Sequence, residues 1–508
     1  MKVAMNENKK IAVNSVVIFA RLCITSVIGI FTSRIVLDAL GASDYGLYNV
    51  VGGIVTLLNV VNTAMLSTTY RYIAFEVGKK NEGNTNKIFN VSLLIHALFS
   101  IFILAVGLIV GTWYVNNYLN IPIEKMSDAH FVLRISLITS AISTLLVPYQ
   151  GLLVAYEKFM VNAVIDVVSC VLRLVVLLLF IYTPDNRLRL YSLIMMGYTT
   201  LVATMYVCYS VRKFYDTIKL RLYKDIALVK DMMSFALWTL FGAVASIGKT
   251  QGSALLINFF YGTLVNAAYA VANQIESFIL MFARSLNNAA IPQITKNFSG
   301  GNKERSVLLT SYISKYTFLL MCFAAFPVLM EMDFLLDLWL KDVPEGAAVF
   351  CNLMVLGGLI GCLGEGIPAL INATGNIRTY QIIFHTFNLL GLPIAYLFFK
   401  KGYDAYMILV VYCVVYLLSA ILRLFLLKYL YKFDIRLLIN KSYVRIFLVS
   451  IPLIVYYILL NNPSTSVVGH LANMFFAEVY LGIIILLMGL DKVEKQKIKV
   501  FLQSRSKR

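Results

Sequence analysis

The sequence predicts an all-α polytopic membrane protein of about 14 transmembrane helices, arranged as two six-helix lobes plus two C-terminal helices. Three observations carry that prediction. Mean hydropathy is +0.79, and 60% of the 508 residues are hydrophobic while only 14% are charged, against about 25% charged in soluble domains. Fourteen apolar runs are each long enough to cross a hydrocarbon core of about 30 Å, which takes about 20 helical residues. Finally, the stretch GASDYGLYNVVGGI from Gly41 returns 221 residues later as GTLVNAAYAVANQI from Gly262, with Gly41, Tyr48, Val50 and Ile54 recurring as Gly262, Tyr269, Val271 and Ile275.

The runs cover 11–33, 45–70, 88–112, 131–155, 160–182 and 190–211 in the first half, and 232–258, 264–291, 307–330, 347–372, 380–399 and 403–427 in the second. Two more, 443–460 and 470–490, have no counterpart in either half. A second echo supports the duplication. Pro148 of VPYQGLLVAYEK answers Pro368 of IPALINATGNIR, and ten residues beyond each proline stands a base, Lys158 or Arg378. The predicted organisation is an N-lobe over 1–215, a C-lobe over 216–430, and a last segment over 431–508 that ends in a basic tail. Duplicated bundles of this kind are common in transporters.

The net charge of +18 could suggest a nucleic-acid partner, but its distribution argues against one. With both termini cytoplasmic, the even-numbered loops and the two tails hold 29 of the 44 Lys and Arg, and the odd-numbered loops hold seven. That bias is the positive-inside rule. The basic linker from Arg212 to Lys230 and the tail from Lys492 to Arg508 can also touch anionic lipid, at about 1 kcal/mol per base. All seven cysteines fall in predicted spans with no CxxC, so neither a disulfide framework nor a zinc site is implied. The first run carries Arg21 and lacks a small-residue cleavage site, and reads as a retained helix rather than a signal peptide.

A polar group facing lipid is costly, about 2.5 to 3.5 kcal/mol for Arg or Lys at a span centre. Such residues should therefore face protein or water. On span 1, Asn14, Arg21, Thr25 and Thr32 share a face, as do Thr56, Asn59, Thr63 and Ser67 on span 2. Span 7 offers Thr239, Ser246, Lys249 and Ser253, and span 8 offers Asn266, Asn273, Gln274, Ser277, Arg284 and Asn288. Small and amide residues also mediate helix packing, so the bases are the sharper signal. Arg21, Lys249 and Arg284 would make a cavity between these helices cationic, with Glu276 opposing them, and its cargo anionic.

Other in-span charges are weaker clues. Asp166 and Arg173 lie two turns apart on span 5, where they could brace the bundle or pair with a neighbour. Glu365 sits in the run GGLIGCLGEG, whose glycines favour close packing over nucleotide binding, and His96 and His385 are isolated and read as structural. Asp166, Glu276 and Glu365 are the candidates for coupling to an ion, H⁺ or Na⁺. No HExxH, Walker, GxSxG or Rossmann motif is present, so the expectation is no enzyme, no cofactor and no bound metal. Uphill transport would then draw on an ion gradient, the membrane potential or a separate protein.

The segments RIVLDALGASDYGLYNVVGGI, TTYRYIAFEVGKKNEGNTNKIF and VPYQGLLVAYEKF, in that order, resemble the bacterial polysaccharide-repeat (O-antigen type) flippases. These belong to the multidrug/oligosaccharidyl-lipid/polysaccharide (MOP) exporter superfamily. The resemblance implies two lobes arranged as an inverted V, as in the related multidrug exporters, and alternating access. It also implies a bacterial inner-membrane location and a cargo of oligosaccharide on undecaprenyl pyrophosphate, for polysaccharide and lipopolysaccharide assembly. Polymerases and glycosyltransferases would be the protein partners, and spans 13 and 14 would offer a groove for the polyprenyl tail. Two relatives of the superfamily are alternatives, the lipid II flippases and the cation-coupled drug antiporters; a membrane glycosyltransferase or polymerase is the reading from another class.

Lipid II flippases carry an FSR-like arginine on the first span, here Phe19, Ala20 and Arg21, and a LLPSLSK-like run on the eighth, here IPQITK from Ile291. Their basic residue in a DRLMEF-like stretch stands here as Gln274 within ANQIESF, and their further first-span arginine is missing from Thr25 to Ile28. Both departures favour the O-antigen type. A drug antiporter for cations would want acids in the cavity, where this sequence places bases. Catalytic acids in large outside loops are what a polymerase would need, and the outside loops here are short.

Overall fold

The computed structural model describes the backbone of residues 2–79, 84–118, 123–180, 186–340, 343–460, 466–492 and 494–496; the side chains of residues 2–9, of most of 30–60, and of 118, 179, 180, 263, 264, 282 and 460 lie outside the described set. Every regular element among the described residues is helical. In chain order they are α1 (Lys2–Gly78), α2 (Thr85–Tyr118), α3 (Met126–Ala155), α4 (Phe159–Phe180), α5 (Arg187–Lys213), the short α6 (Tyr215–Ile218), α7 (Ile226–Ser299), α8 (Lys303–Met330) and α9 (Met332–Trp339). There follow α10 (Ala347–Gly361), α11 (Ile367–Thr374), α12 (Arg378–Leu389), α13 (Gly391–Lys400), α14 (Met407–Tyr429), α15 (Arg436–Leu438), α16 (Val444–Leu460) and α17 (Val467–Ile484). Helix is what the bilayer demands, because a spanning segment must satisfy its own backbone groups.

Among the described residues twelve segments are long and apolar enough to cross a membrane, and they coincide with twelve of the fourteen expected spans. The other two, spans 2 and 8, are the second halves of α1 and α7, which are helical throughout those stretches apart from one break. The break is at Gly262, with φ 79° and ψ −173° inside α7. Only glycine adopts that backbone readily. The position picked out by the internal echo is therefore where the second half turns from span 7 into span 8.

The second echo diverges. Pro148 lies in the interior of α3, whereas Pro368 opens α11 after the chain has left the helix. Span 10, expected as one helix over 347–372, is interrupted: α10 stops at Gly361, a 3₁₀ turn covers Cys362–Gly364, Glu365 is extended, and Gly366 sits at φ 84°. Gly366 in a left-handed conformation and Pro368 without an amide hydrogen together stop the helix from continuing.

The chain divides into two compact units, Met1–Ala243 and Val244–Arg508. The division falls inside α7, about a dozen residues beyond the 212–231 linker, and spans 13 and 14 group with the second unit. Local bonding explains why the linker stays with the first unit. The Asn86 side chain, at the start of α2, donates to the carbonyls of Asp216, Thr217 and Lys219 at 2.8–3.0 Å and accepts from the Tyr223 hydroxyl at 2.8 Å. Asn90 accepts from the Arg221 amide at 3.1 Å and donates to Lys219. The Lys87 ammonium, 2.6 Å from Asp225, holds that carboxyl below the usual carboxylate range. At the start of α7, Asp231 accepts from the Tyr72 hydroxyl at 2.5 Å, and Arg71 lies over the rings of Tyr72 and Phe235.

In the second unit α8 is the most enclosed span, with 67% of its most apolar window buried. One hydrophobic cluster joins Phe318, Met321 and Phe326 of α8 to Phe350 of α10, Tyr412 of α14, Val449 of α16 and Leu481 of α17. Polar contacts pin α17 to α8 at both ends. At one, Glu331 accepts from His470 Nδ1 at 2.6 Å and from Asn473 Nδ2 at 2.7 Å. At the other, the fully buried Lys315 donates to both oxygens of Glu494, just past α17, at 2.6 Å, while Asp491 pairs with Lys441, between α15 and α16, at 2.7 Å. Burial would raise the Asp491 carboxyl, but the Lys441 ammonium and the Glu494 amide hold it below its ordinary value. Since lipid tails are as apolar as the side chains, packing and such polar contacts hold membrane helices together.

Candidate functional site

The break in span 10 opens onto a cavity of about 330 Å³ contained within the second unit. Four charged side chains line it: Lys249 from α7, Glu276 from the second half of α7, Glu365 from the break itself, and Arg423 from α14. Ser246 of α7, His385 and Asn388 of α12, and Tyr416 and Ser419 of α14 complete its polar wall. Discontinuous membrane helices commonly mark transporter binding sites, because the unwound backbone needs protein or water partners rather than lipid. Here the Ser314 hydroxyl donates to the Glu365 carbonyl and Asn287 Nδ2 donates to Glu365 Oε2 at 2.7 Å.

Each charge is held in its own way. The Lys249 ammonium donates to the Tyr416 hydroxyl and lies 4.9 Å and 5.3 Å from the ring centres of Tyr416 and Tyr412. Arg423 covers the Phe384 ring at 4.2 Å. Its chain presses against Gly364, where an added Cβ would meet Arg423 Nη1 at 2.5 Å. Close packing, expected of the glycine run, thus holds at Gly364, while a Cβ at Gly361 would meet nothing within 4 Å. Asn388 is internally satisfied, donating to the Phe384 carbonyl at 2.7 Å and accepting from Ser419 at 3.3 Å.

A model for polysaccharide biosynthesis proteins matches residues 9–298, more than half of the chain. The chain belongs to the polysaccharide biosynthesis protein family. Within this family member, residues 253–397 also match the model of the MatE family. No curated protein matches the sequence. Solved transporters share the fold. A MOP superfamily transporter from Pyrococcus furiosus, described as having a binding pocket of reversed polarity, is 14% identical with a TM-score of 0.70, over 82% of this chain and 94% of its own. MATE in the straight conformation is 15% identical with a TM-score of 0.72, over 84% and 97%. An outward-facing multidrug resistance MATE family transporter is 13% identical with a TM-score of 0.70, over 82% and 94%. The polysaccharide biosynthesis protein thus has the MOP transporter fold, which is the fold the sequence motifs resemble, and is a multi-pass membrane protein.

The residues singled out in the sequence of this polysaccharide biosynthesis protein meet different fates. In the first unit Arg21 Nη1 pairs with Asp166 Oδ2 at 2.7 Å, linking spans 1 and 5. The base expected to be open to cargo and the acid expected to couple an ion compensate each other. Arg173 turns to Tyr191 and Tyr198 instead. Asn14 is buried, and Thr63 is exposed. The side chains of Thr56 and Asn59 lie outside the described residues. In the second unit Lys249, Ser246, Glu276 and Glu365 line the cavity, while Asn273 lines a small adjoining pocket with Lys249 and Tyr416. Gln274, Ser277 and Arg284 are exposed, and Arg284 has no hydrogen bond or ion pair among the described residues.

Several stripe residues spend their polar groups on their own helix. Thr25 donates to the Arg21 carbonyl at 2.9 Å, Ser253 to that of Lys249 at 2.8 Å, and Asn273 to that of Tyr269 at 2.8 Å. Such bonds to the preceding turn satisfy the side chain within its own helix, so a polar residue at helical spacing need not face water. Arg423, His385, Asn388 and Tyr416 were not among the expected site residues. Arg423 lies in span 12 outside the polar stripes, and His385 reads in sequence as an isolated structural group; the Gly/Pro interruption of span 10 is the signal that points to them. Among the described residues no group of three or more His, Cys, Asp and Glu is placed to hold a metal ion.

Proposed function

We propose that the protein is a flippase carrying oligosaccharide repeat units on undecaprenyl pyrophosphate across a bacterial inner membrane by alternating access, for surface polysaccharide of the O-antigen type. The observation that carries this reading is the match of residues 9–298 to a family described by polysaccharide biosynthesis. Arg284 supports it: an exposed guanidinium in span 8 with no carboxylate bonded to it offers the forked donor set that suits phosphate. Both termini are cytoplasmic in this proposal, and polymerase and glycosyltransferases of the same pathway are the partners. Energy comes from an H⁺ or Na⁺ gradient, with Asp166, Glu276 or Glu365 as the coupling acid, or from the potential, at about 2.3 kcal/mol per charge per 100 mV.

The test is Arg284→Ala in cells. Surface polysaccharide should fall by roughly tenfold or more, the loss expected when a charge-assisted contact worth at least ~1.4 kcal/mol is removed, with abundance and membrane insertion of the protein unchanged. Unaltered polysaccharide would sink the assignment of Arg284 to the pyrophosphate. A second reading, export of cationic drugs, is favoured by the match of residues 253–397 to the MatE family and by Glu276 and Glu365 in the cavity wall. Deleting the gene would then sensitise cells to cationic dyes and leave polysaccharide intact.

A further inference from the structure

The second-unit cavity is balanced rather than cationic. Lys249 and Arg423 contribute two positive charges to its wall, and Glu276 and Glu365 two negative ones. A pyrophosphate placed there would have to displace two carboxylates, and a cation two bases. An apolar tail would leave the charged groups desolvated and without partners, at a cost of several kcal/mol.

Much of the wall's hydrogen-bonding capacity is not taken up by the protein. Among the described residues the Glu276 carboxylate and the His385 ring nitrogens accept or donate no hydrogen bond. Glu365 uses one oxygen, towards Asn287, and Arg423 Nε has no partner. Acceptors, donors and an imidazole that can serve as either therefore converge on one space. Its volume, about 330 Å³, is at the low end of the ~300–1,000 Å³ usual for small-molecule sites.

We propose that this cavity is the subsite for one uncharged sugar ring of the cargo, with Glu276, His385 and Arg423 as its specificity-determining contacts. The proposal rests on the flippase reading above and divides the cargo by chemistry, hydroxyls to the balanced cavity and pyrophosphate to Arg284. A sugar hydroxyl both donates and accepts, so a ring bearing several of them can satisfy carboxylates and guanidinium together without altering the charge balance. Such a site also discriminates, since an analogue lacking one hydroxyl leaves a buried polar group of the wall unpaired.

The experiment measures binding to the purified full-length protein in lipid nanodiscs with two probes, undecaprenyl pyrophosphate and the same lipid bearing a single N-acetylhexosamine. Wild-type protein should bind the sugar-bearing lipid roughly tenfold or more tightly than the bare lipid. His385→Phe, which keeps an aromatic ring and removes both nitrogens, should erase that advantage and leave affinity for the bare lipid unchanged. His385→Gln, which keeps a donor and an acceptor, should retain most of the advantage, and this rescue separates a lost contact from a misfolded cavity.

Equal loss for both probes in His385→Phe would overturn the sugar subsite while leaving the flippase reading intact, because the cavity would then hold the phosphate. No change for either probe in both His385→Phe and Glu276→Gln would overturn it as well. Wild-type protein that binds neither lipid would overturn the flippase reading and the subsite with it.

Discussion

Spans 1 and 7 open the two halves of a duplicated bundle, and each carries one base in its interior, Arg21 or Lys249. The halves stabilise these bases by different means. Arg21 meets a carboxylate from span 5 at 2.7 Å, both partners remaining about three-tenths exposed. Lys249 meets no carboxylate within ion-pair distance among the described residues; it donates to a tyrosine hydroxyl and lies against two tyrosine rings. An ion pair cancels a charge, whereas an aromatic cage stabilises it and leaves it positive. The first half thus presents a neutralised arginine, and the second keeps a positive charge beside Glu276 in its cavity wall. At the 221-residue offset Arg21 falls on Gly242, so duplication of the scaffold was not duplication of the charges.

The largest effect should come from splitting the ion pair. Asp166→Ala leaves Arg21 uncompensated and should destabilise the purified protein by about 3 kcal/mol, the lower end for a buried pair because this one is partly exposed. A thermal unfolding scan reads it, and the double variant Arg21→Met/Asp166→Leu should recover most of the loss. If Asp166→Ala unfolds no earlier than wild type, Arg21 is not neutralised in the way described.

The cage should be more tolerant. Tyr416→Phe removes one charge-assisted acceptor and should cost about 1.5 kcal/mol by the same scan. Tyr412→Phe keeps the ring that packs in the α8–α14 cluster and lies against Lys249, and should cost less than about 1 kcal/mol. A Tyr412 effect exceeding that of Asp166→Ala would reverse the contrast between the halves.

The spans were legible because the bilayer dictates their length and apolarity, and the Gly41/Gly262 echo located the turn at Gly262. The pairing of Arg21 with Asp166 was not legible, since 145 residues separate them and no periodicity connects spans 1 and 5. The polar stripes on spans 1, 7 and 8 overstated the polar surface, because Thr25, Ser253 and Asn273 bond to their own helices. The motifs that resemble the flippases proved in part to hold joints together. Arg71 and Asn86 fix the linker and the start of α7, and Glu157, at φ 59°, pairs with Lys10 at 3.0 Å. Recognisable residues here secure the scaffold, and the cavity residues on spans 10 to 12 carry no motif beyond the interrupted helix.

The pair between Lys315 and Glu494 has a consequence in time. The two residues are 179 positions apart, and a ribosome adding ~5–20 residues per second needs about 10 to 35 s to travel from one to the other. For that interval the nascent chain holds a lysine in its ninth span whose counterion has not yet been made. The contact that joins span 9 to the segment after α17 can form only once Glu494 has been made.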